Sequence, residues 1–335
     1  MKKLLSVLLS IVSVFTVFAF SACGDKGDVN LKYYNTASDL IPALKTGAVS
    51  YGLLPEPAAT NLENMTKADG KSWYRLDIQE LYDSETKSYP QAVVLIKESL
   101  LNTFPTLVEN MKNKFSNNAA WVINSPDETV SAVYNENVCE EGITPSFKNA
   151  AILTEKVVNN CNISWQSAQD AKKSVKDYLN SIIAVKDISA TAATDDFFYD
   201  GTASGEFTAD TVKVYAPDGA PALAIAKFIA ENETFGTGKT FEYHVVAADK
   251  IGTTGGDIVI IPVNLASKRY KANELSPYKM VSVVTHGNVY LMCSEEISAN
   301  DLKDKTLGVF NMGGVPDLTL QVVLKNLGYK IGIAD

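Results

Sequence analysis

Histidine and cysteine are scarce in this 335-residue chain, with two and four copies respectively, and their scarcity narrows the chemistry available. His244 and His286 stand away from any cysteine or carboxylate at ligand spacing, so no zinc-type site is written in the sequence. Cys139, Cys161 and Cys293 are widely spaced and match no metal or redox motif. A Cys139 to Cys161 disulfide is open to them outside the cell, and small buried hydrophobes are the equal alternative. No Gly-x-Ser-x-Gly elbow occurs. Gly236-Thr237-Gly238-Lys239-Thr240 has the tail of a phosphate-binding loop, but the pattern needs a glycine where Glu233 stands. Basic residues are outnumbered, 30 against 39 acidic ones, for a formal net charge of −9. That balance argues against a nucleic-acid partner. Beyond the first two dozen residues no apolar run is long enough to span a bilayer. Nothing in the motifs calls for an enzyme, a metal or a cofactor.

What is present begins at the N-terminus. Lys2 and Lys3 precede an uncharged run over residues 4–20, then Ser21 and Ala22 lead to Cys23. This is the layout of a secretory signal over residues 1–22, whose removal makes the mature chain two charges more negative. Phe20-Ser21-Ala22-Cys23 also resembles the lipobox of bacterial lipoproteins, in which the cysteine is acylated and becomes the new N-terminus. The resemblance implies a membrane anchor through a lipid on Cys23, a leash over residues 23–28, and an exported protein held at the outer face of the cytoplasmic membrane. The roughly 310 residues that remain suffice for one large or two mid-sized domains.

Short continuous apolar runs recur at residues 52–54, 92–96, 212–215, 258–261, 281–284 and 307–310. Runs of this length read as strands buried on both faces. An amphipathic helix is predicted over 167–183, with Ala168, Ala171, Val175, Tyr178, Leu179 and Ile182 on one face. A second, opened by Pro221, sets Ala222, Ile225, Ala226 and Ile229 on a stripe. The alternation predicts an α/β architecture with mainly parallel sheets. Residues 186–210 are rich in Ala, Thr, Asp, Ser and Gly, show neither period, and read as a linker.

Three strand-to-helix junctions carry the candidate binding chemistry. Ala216-Pro217-Asp218-Gly219-Ala220-Pro221 and Asn311-Met312-Gly313-Gly314-Val315-Pro316-Asp317 both place small residues at a helix start. Unpaired backbone N–H groups and the positive end of the helix dipole can face a ligand there. Pro262-Val263-Asn264 ends a buried strand and presents an amide at its carboxyl end, the edge where open α/β sheets bind ligands. At any single junction the alternative is that glycine and proline merely make the turn.

Several of these segments resemble the substrate-binding proteins of ABC importers, in the branch handling nitrate, sulfonates, taurine and thiamine precursors. They are residues 212–228, the DIVIIPVNLASKRY of 257–270, Gly287-Asn288-Val289-Tyr290, the NMGGVPDLTLQVVLKNLGY of 311–329, and Tyr51-Gly52-Leu53-Leu54-Pro55-Glu56-Pro57-Ala58-Ala59-Thr60. Residues 89–97, 102–112 and Asp195-Asp196-Phe197-Phe198-Tyr199 look like the last third of such proteins. The order departs from the family: read from 211 to 335 and then from 29 to 199, the chain follows it, so the resemblance is to a circular permutation.

The resemblance implies a two-lobed type II periplasmic-binding fold. Lobe 2 would comprise residues 29–88 plus 294–335 and lobe 1 residues 89–293, with 186–210 joining the family's usual termini and crossings near 88–92 and 291–295. It also implies a small-molecule ligand in the cleft and an ABC permease as partner. The expected cleft residues are Gly219, Ala220, Gly313, Gly314 and Val315 as an N–H cradle, Asn264, Thr285 and His286 from lobe 1, and Glu56 and Thr60 from lobe 2. Glu56 as a turn cap, Thr60 as a helix N-cap and His286 facing solvent are the plainer readings of those three. Tyr89 and Tyr215 could stack on a ligand ring or simply pack in the core. The helix starts suit an anion, whereas Glu56 suits an amine or aminopyrimidine donor. Rival functions are a solute-sensing lipoprotein and an enzyme on the same fold, resembling thiamine-pyrimidine synthase but without its cysteine-rich iron site.

Overall fold

Among the described residues, twelve strands carry the fold: β1 (Val29–Tyr34), β2 (Tyr51–Pro55), β3 (Tyr74–Asp77), β4 (Ala92–Lys97), β5 (Ile163–Ser167), β6 (Thr211–Pro217), β7 (Thr240–Val246), β8 (Ile258–Pro262), β9 (Tyr278–Thr285), β10 (Val289–Cys293), β11 (Thr306–Phe310) and β12 (Ile331–Ile333). The computed structural model describes residues 28–270 and 277–334. The expected leader, Cys23 and the leash up to residue 27 lie outside the described residues. All six apolar runs fall within strands, and β4 and β8 are buried on both faces as such runs require.

The strands form two six-stranded sheets, in the orders β12-β1-β11-β2-β10-β3 and β5-β9-β4-β8-β6-β7. Both are built on one plan. Three parallel strands (β1-β11-β2 in one, β7-β6-β8 in the other) are followed by an antiparallel strand, β10 or β4, and then by one reversed again, β3 or β9. Each antiparallel strand is the first that the chain makes on arriving from the other sheet. The chain thus passes between sheets over residues 83–91 and again over 286–288. The architecture is the two-lobed α/β arrangement expected, with mixed rather than purely parallel sheets.

Two expectations need correction. The second crossing does not lie near 291–295, because β10 pairs along its length with both β2 and β3, which take up its backbone groups. The lobe expected to run from 89 to 293 therefore gives up its last strand. Residues 186–210 run as a strap along the second sheet, with two 3₁₀ turns and a fully buried Phe197. Phe198 bridges to Met280, and Thr191 N–H donates to Ser267 Oγ. The helix opened by Pro221 is two short pieces, Ala220–Leu223 and Ala226–Ala230. The Asn118 side chain enters the break, donating to Leu223 O at 2.8 Å and accepting from Lys227 N–H at 3.0 Å. An amide inserted into the helical ladder accounts for the interruption.

The predicted long helix spans Ala168–Val185 and buries the six residues expected of it. Its start is set by Ser167, whose Oγ accepts from Asp170 N–H. This helix lies against the Val315–Asn326 helix of the other lobe, where the hydroxyls of Tyr178 and Thr319 meet at 2.5 Å. One apolar core is consequently continuous across the lobes, while two others cover the remaining face of each sheet. Cys139, Cys161 and Cys293 are free thiols, the latter two buried, so the Cys139 to Cys161 bridge is not formed. Burial pushes the Cys293 thiol up to about 12. No helix among the described residues is long and apolar enough to cross a membrane.

Candidate functional site between the lobes

The two crossings meet in a near-symmetric arrangement. β2 ends at Pro55, and the next N–H, of Glu56, donates to Asn288 O at 3.0 Å. β8 ends at Pro262, and the next N–H, of Val263, donates to Gln91 O at 3.0 Å. Gln91 and Asn288 immediately precede β4 and β10, the first strands after each crossing, and Gln91 Nε2 donates to Asn288 Oδ1 at 2.9 Å. Pro55-Glu56-Pro57 and Pro262-Val263-Asn264 thus occupy matching places at the carboxyl edges of the two sheets. Gln91 and Asn288 lie in the resembling segments 89–97 and 287–290, but neither is singled out there as a site residue, because a polar residue before a strand belongs to no periodic pattern.

Glu56 is 1% exposed, and a carboxylate so buried requires partners. It has them: Arg75 Nη1 at 2.6 Å, Thr60 Oγ1 at 3.0 Å and, from the other lobe, Asn160 Nδ2 at 3.0 Å. Arg75 also pairs with Glu63 at 2.6 Å, donates to Thr60 Oγ1 at 3.0 Å and lies over the Tyr290 ring. Burial works against the guanidinium's charge, but its hydrogen bonds to Glu63 and Glu56 outweigh that and hold its pKa above the ordinary value. The other Glu56 oxygen accepts Thr60 N–H at 3.3 Å, so the carboxylate caps the Ala58–Lys67 helix. The structure brings Glu56 and Thr60 together, but as members of this closed network. Arg75, its central residue, has no counterpart among the expected site residues.

The glycine-rich start of the Val315–Asn326 helix is also internally satisfied. Gly313 N–H donates to Asp317 Oδ2 at 2.7 Å and Gly314 N–H to Asn311 O at 2.8 Å. Asp317 is fully buried and accepts further bonds from Tyr33 OH at 3.1 Å and Gln321 Nε2 at 2.9 Å. Burial raises its pKa, against the lowering effect of those donors and of the Lys186 charge. Val315 is buried behind the turn. In the other lobe, Gly219 takes φ +106° and starts a helix of only four residues, so the dipole available to Ala220 is that of one turn. The neighbouring Asp218 carboxylate is held by Tyr134 OH at 2.7 Å and by Ser146 N–H and Oγ.

Thr285, Gln91 and Val263 are laid side by side across β9, β4 and β8, since Gln91 N–H donates to Thr285 O and Gln91 O accepts from Val263 N–H. Asn264 follows Val263 and donates from Nδ2 to Ser189 O at 3.2 Å. Three shielded oxygens in this group, Gln91 Oε1, Asn264 Oδ1 and Thr285 Oγ1, have no hydrogen-bond partner among the described residues. His286 is separated from them, half-buried beside Ser164 O at 3.3 Å, and burial lowers its pKa. It lines a pocket of about 560 Å³ with Lys87, Ser88, Asn159, Asn162 and Gln166. Tyr89 stacks on Tyr178 and Tyr215 on His244, so both rings are engaged in packing.

No protein-family model and no curated protein matches the chain. Among solved structures, the oligopeptide-binding protein AppA from Bacillus subtilis, in complex with a nonapeptide, is similar at 10% identity and a TM-score of 0.25. The match covers 77% of this chain and 54% of that one, so the chain spans about half the length of the protein it matches. The fold described above stands on its own strand order, independently of that match.

Proposed function

We propose that this chain is an extracytoplasmic solute-binding lipoprotein that captures a small molecule between its lobes and delivers it to an ABC importer. In this reading it belongs to the nitrate, sulfonate, taurine and thiamine-precursor branch and is anchored through a lipid on Cys23. The observation that carries the proposal is the pair of like-built sheets joined by two short crossings, with matching Pro-Glu-Pro and Pro-Val-Asn turns at their carboxyl edges. Two lobes on such a hinge can rotate about it and enclose a ligand.

The same sheet orders support the permuted chain order. With the edge strands β12 and β5 set aside, and counted from β6 through β11 and on into β1, each lobe fills its sheet alike: second strand, first, third, the inserted strand, then fourth. That gives β7-β6-β8-β4-β9 in one lobe and β1-β11-β2-β10-β3 in the other. The ends of the described chain lie on adjacent strands, with Val29 opposite Ile331 and Ala334 N–H donating to Leu31 O. Lobe 1 would then be residues 89–287 and lobe 2 the remainder of the mature chain.

Thermal unfolding of the purified protein against a panel of small solutes tests the proposal, because a ligand bound only by the folded state raises the melting temperature. A saturable rise with at least one solute, without turnover of that solute, is expected. The absence of any rise across sulfonates, nitrate, carboxylates, amides, amines and pyrimidines would refute it.

A further inference from the structure

We infer that the lobe 1 side of the cleft recognises a hydrogen-bond donor group on a neutral or cationic ligand, such as a carboxamide, amidine, amino-heterocycle or ammonium, rather than an anion. The inference rests on the solute-binding reading above. It starts from the three shielded oxygens of Gln91, Asn264 and Thr285. Their outward chemistry follows from the bonds around them. Asn288 Nδ2 donates to Glu56 O at 3.4 Å, which turns Asn288 Oδ1 toward Gln91 and makes Gln91 Nε2 the donor to it. Gln91 Oε1 is therefore the end left over. Likewise the donation from Asn264 Nδ2 to Ser189 O leaves Asn264 Oδ1 unmatched. Two carboxamide oxygens are acceptors only, and a threonine hydroxyl accepts as readily as it donates.

Buried acceptors without partners cost stability, and a ligand bearing N–H groups removes that cost on binding, whereas an anion leaves it in place. Two of the features that would favour an anion are already committed. Gly313 N–H faces the buried carboxylate of Asp317, Gly314 N–H is taken by Asn311 O, and the Arg75 guanidinium is held by Glu56 and Glu63.

The test is calorimetric titration and thermal unfolding of the purified protein with two matched panels. Cytosine, nicotinamide, agmatine and putrescine present donors; nitrate, methanesulfonate and acetate present only anionic acceptors. Binding within the first panel and none within the second is the expected result. Binding confined to the anions overturns the inference while leaving the solute-binding reading intact, and silence from both panels counts against both. Thr285→Val then localises the effect: about a tenfold weaker donor ligand with an unliganded melting temperature equal to or above the parent's is expected. Thr285→Ser, which keeps the hydroxyl, should restore binding. A Thr285→Val protein that loses stability yet binds as the parent does would make the hydroxyl structural and overturn the assignment.

Discussion

Replacing Arg75 with methionine is the sharpest perturbation of the inter-lobe network. The substitution keeps most of the apolar stem but removes the guanidinium, leaving the Glu56 carboxylate, 1% exposed, with only Thr60 and Asn160 as donors. Breaking a buried ion pair by deleting one partner costs about 3–5 kcal/mol. The arm toward Glu63 adds little, since that carboxylate is more exposed at 28% and such pairs contribute about 1 kcal/mol at most. Against a total stability of about 5–15 kcal/mol this is a large fraction. It corresponds to a melting temperature lowered by on the order of 10 °C. Urea unfolding at neutral pH measures the change directly. Glu56→Gln combined with Arg75→Met should recover much of it, because the unpaired charge is gone. A cost below about 1 kcal/mol for Arg75→Met, no more than a surface pair's, would refute the claim that the network is buried and interdependent.

Asn160→Ala removes the donor that reaches Glu56 from the other lobe; it should cost about 1 kcal/mol in the same urea unfolding assay. Leu179→Ala, at a fully buried position on the Ala168–Val185 helix, should cost about 2–5 kcal/mol in the same unfolding assay. Burial lowers the pKa of both His286 and His244 in the folded state. The unfolded chain then binds more protons below the ordinary histidine value of about 6.5, so stability falls as pH drops through that value. The His244→Gln, His286→Gln double variant should flatten that slope, as read by melting temperature between neutral and mildly acidic pH.

Strand positions were legible because burial on both faces leaves a contiguous apolar run, and the long helix because its buried face repeats with the helical period. The lobe boundary was less so. β10 is as apolar as its predecessor β9, and only pairing to β2 and β3 reveals which sheet it joins. The burial of the strap over 186–210 was not legible because its composition is that of a loop, while two adjacent phenylalanines pin it down. The places of Glu56, Asn264 and Thr285 at strand ends were legible. Arg75, Gln91, Asn160 and Asn288 were not, since their roles arise from contacts such as Gln91 to Asn288 across 197 residues of sequence. The glycine turns invited an N–H cradle, yet the Asp317 carboxylate one helical turn on fills that place.

Solution scattering of the purified protein, recorded alone and with each donor-bearing and anionic compound, tests the two-lobed binding account most directly. The account predicts that a donor-bearing compound makes the particle more compact, toward the arrangement in which Asn160 meets Glu56, and that the anions leave the profile unchanged. A profile that matches this arrangement without any solute and does not respond to any compound would contradict it.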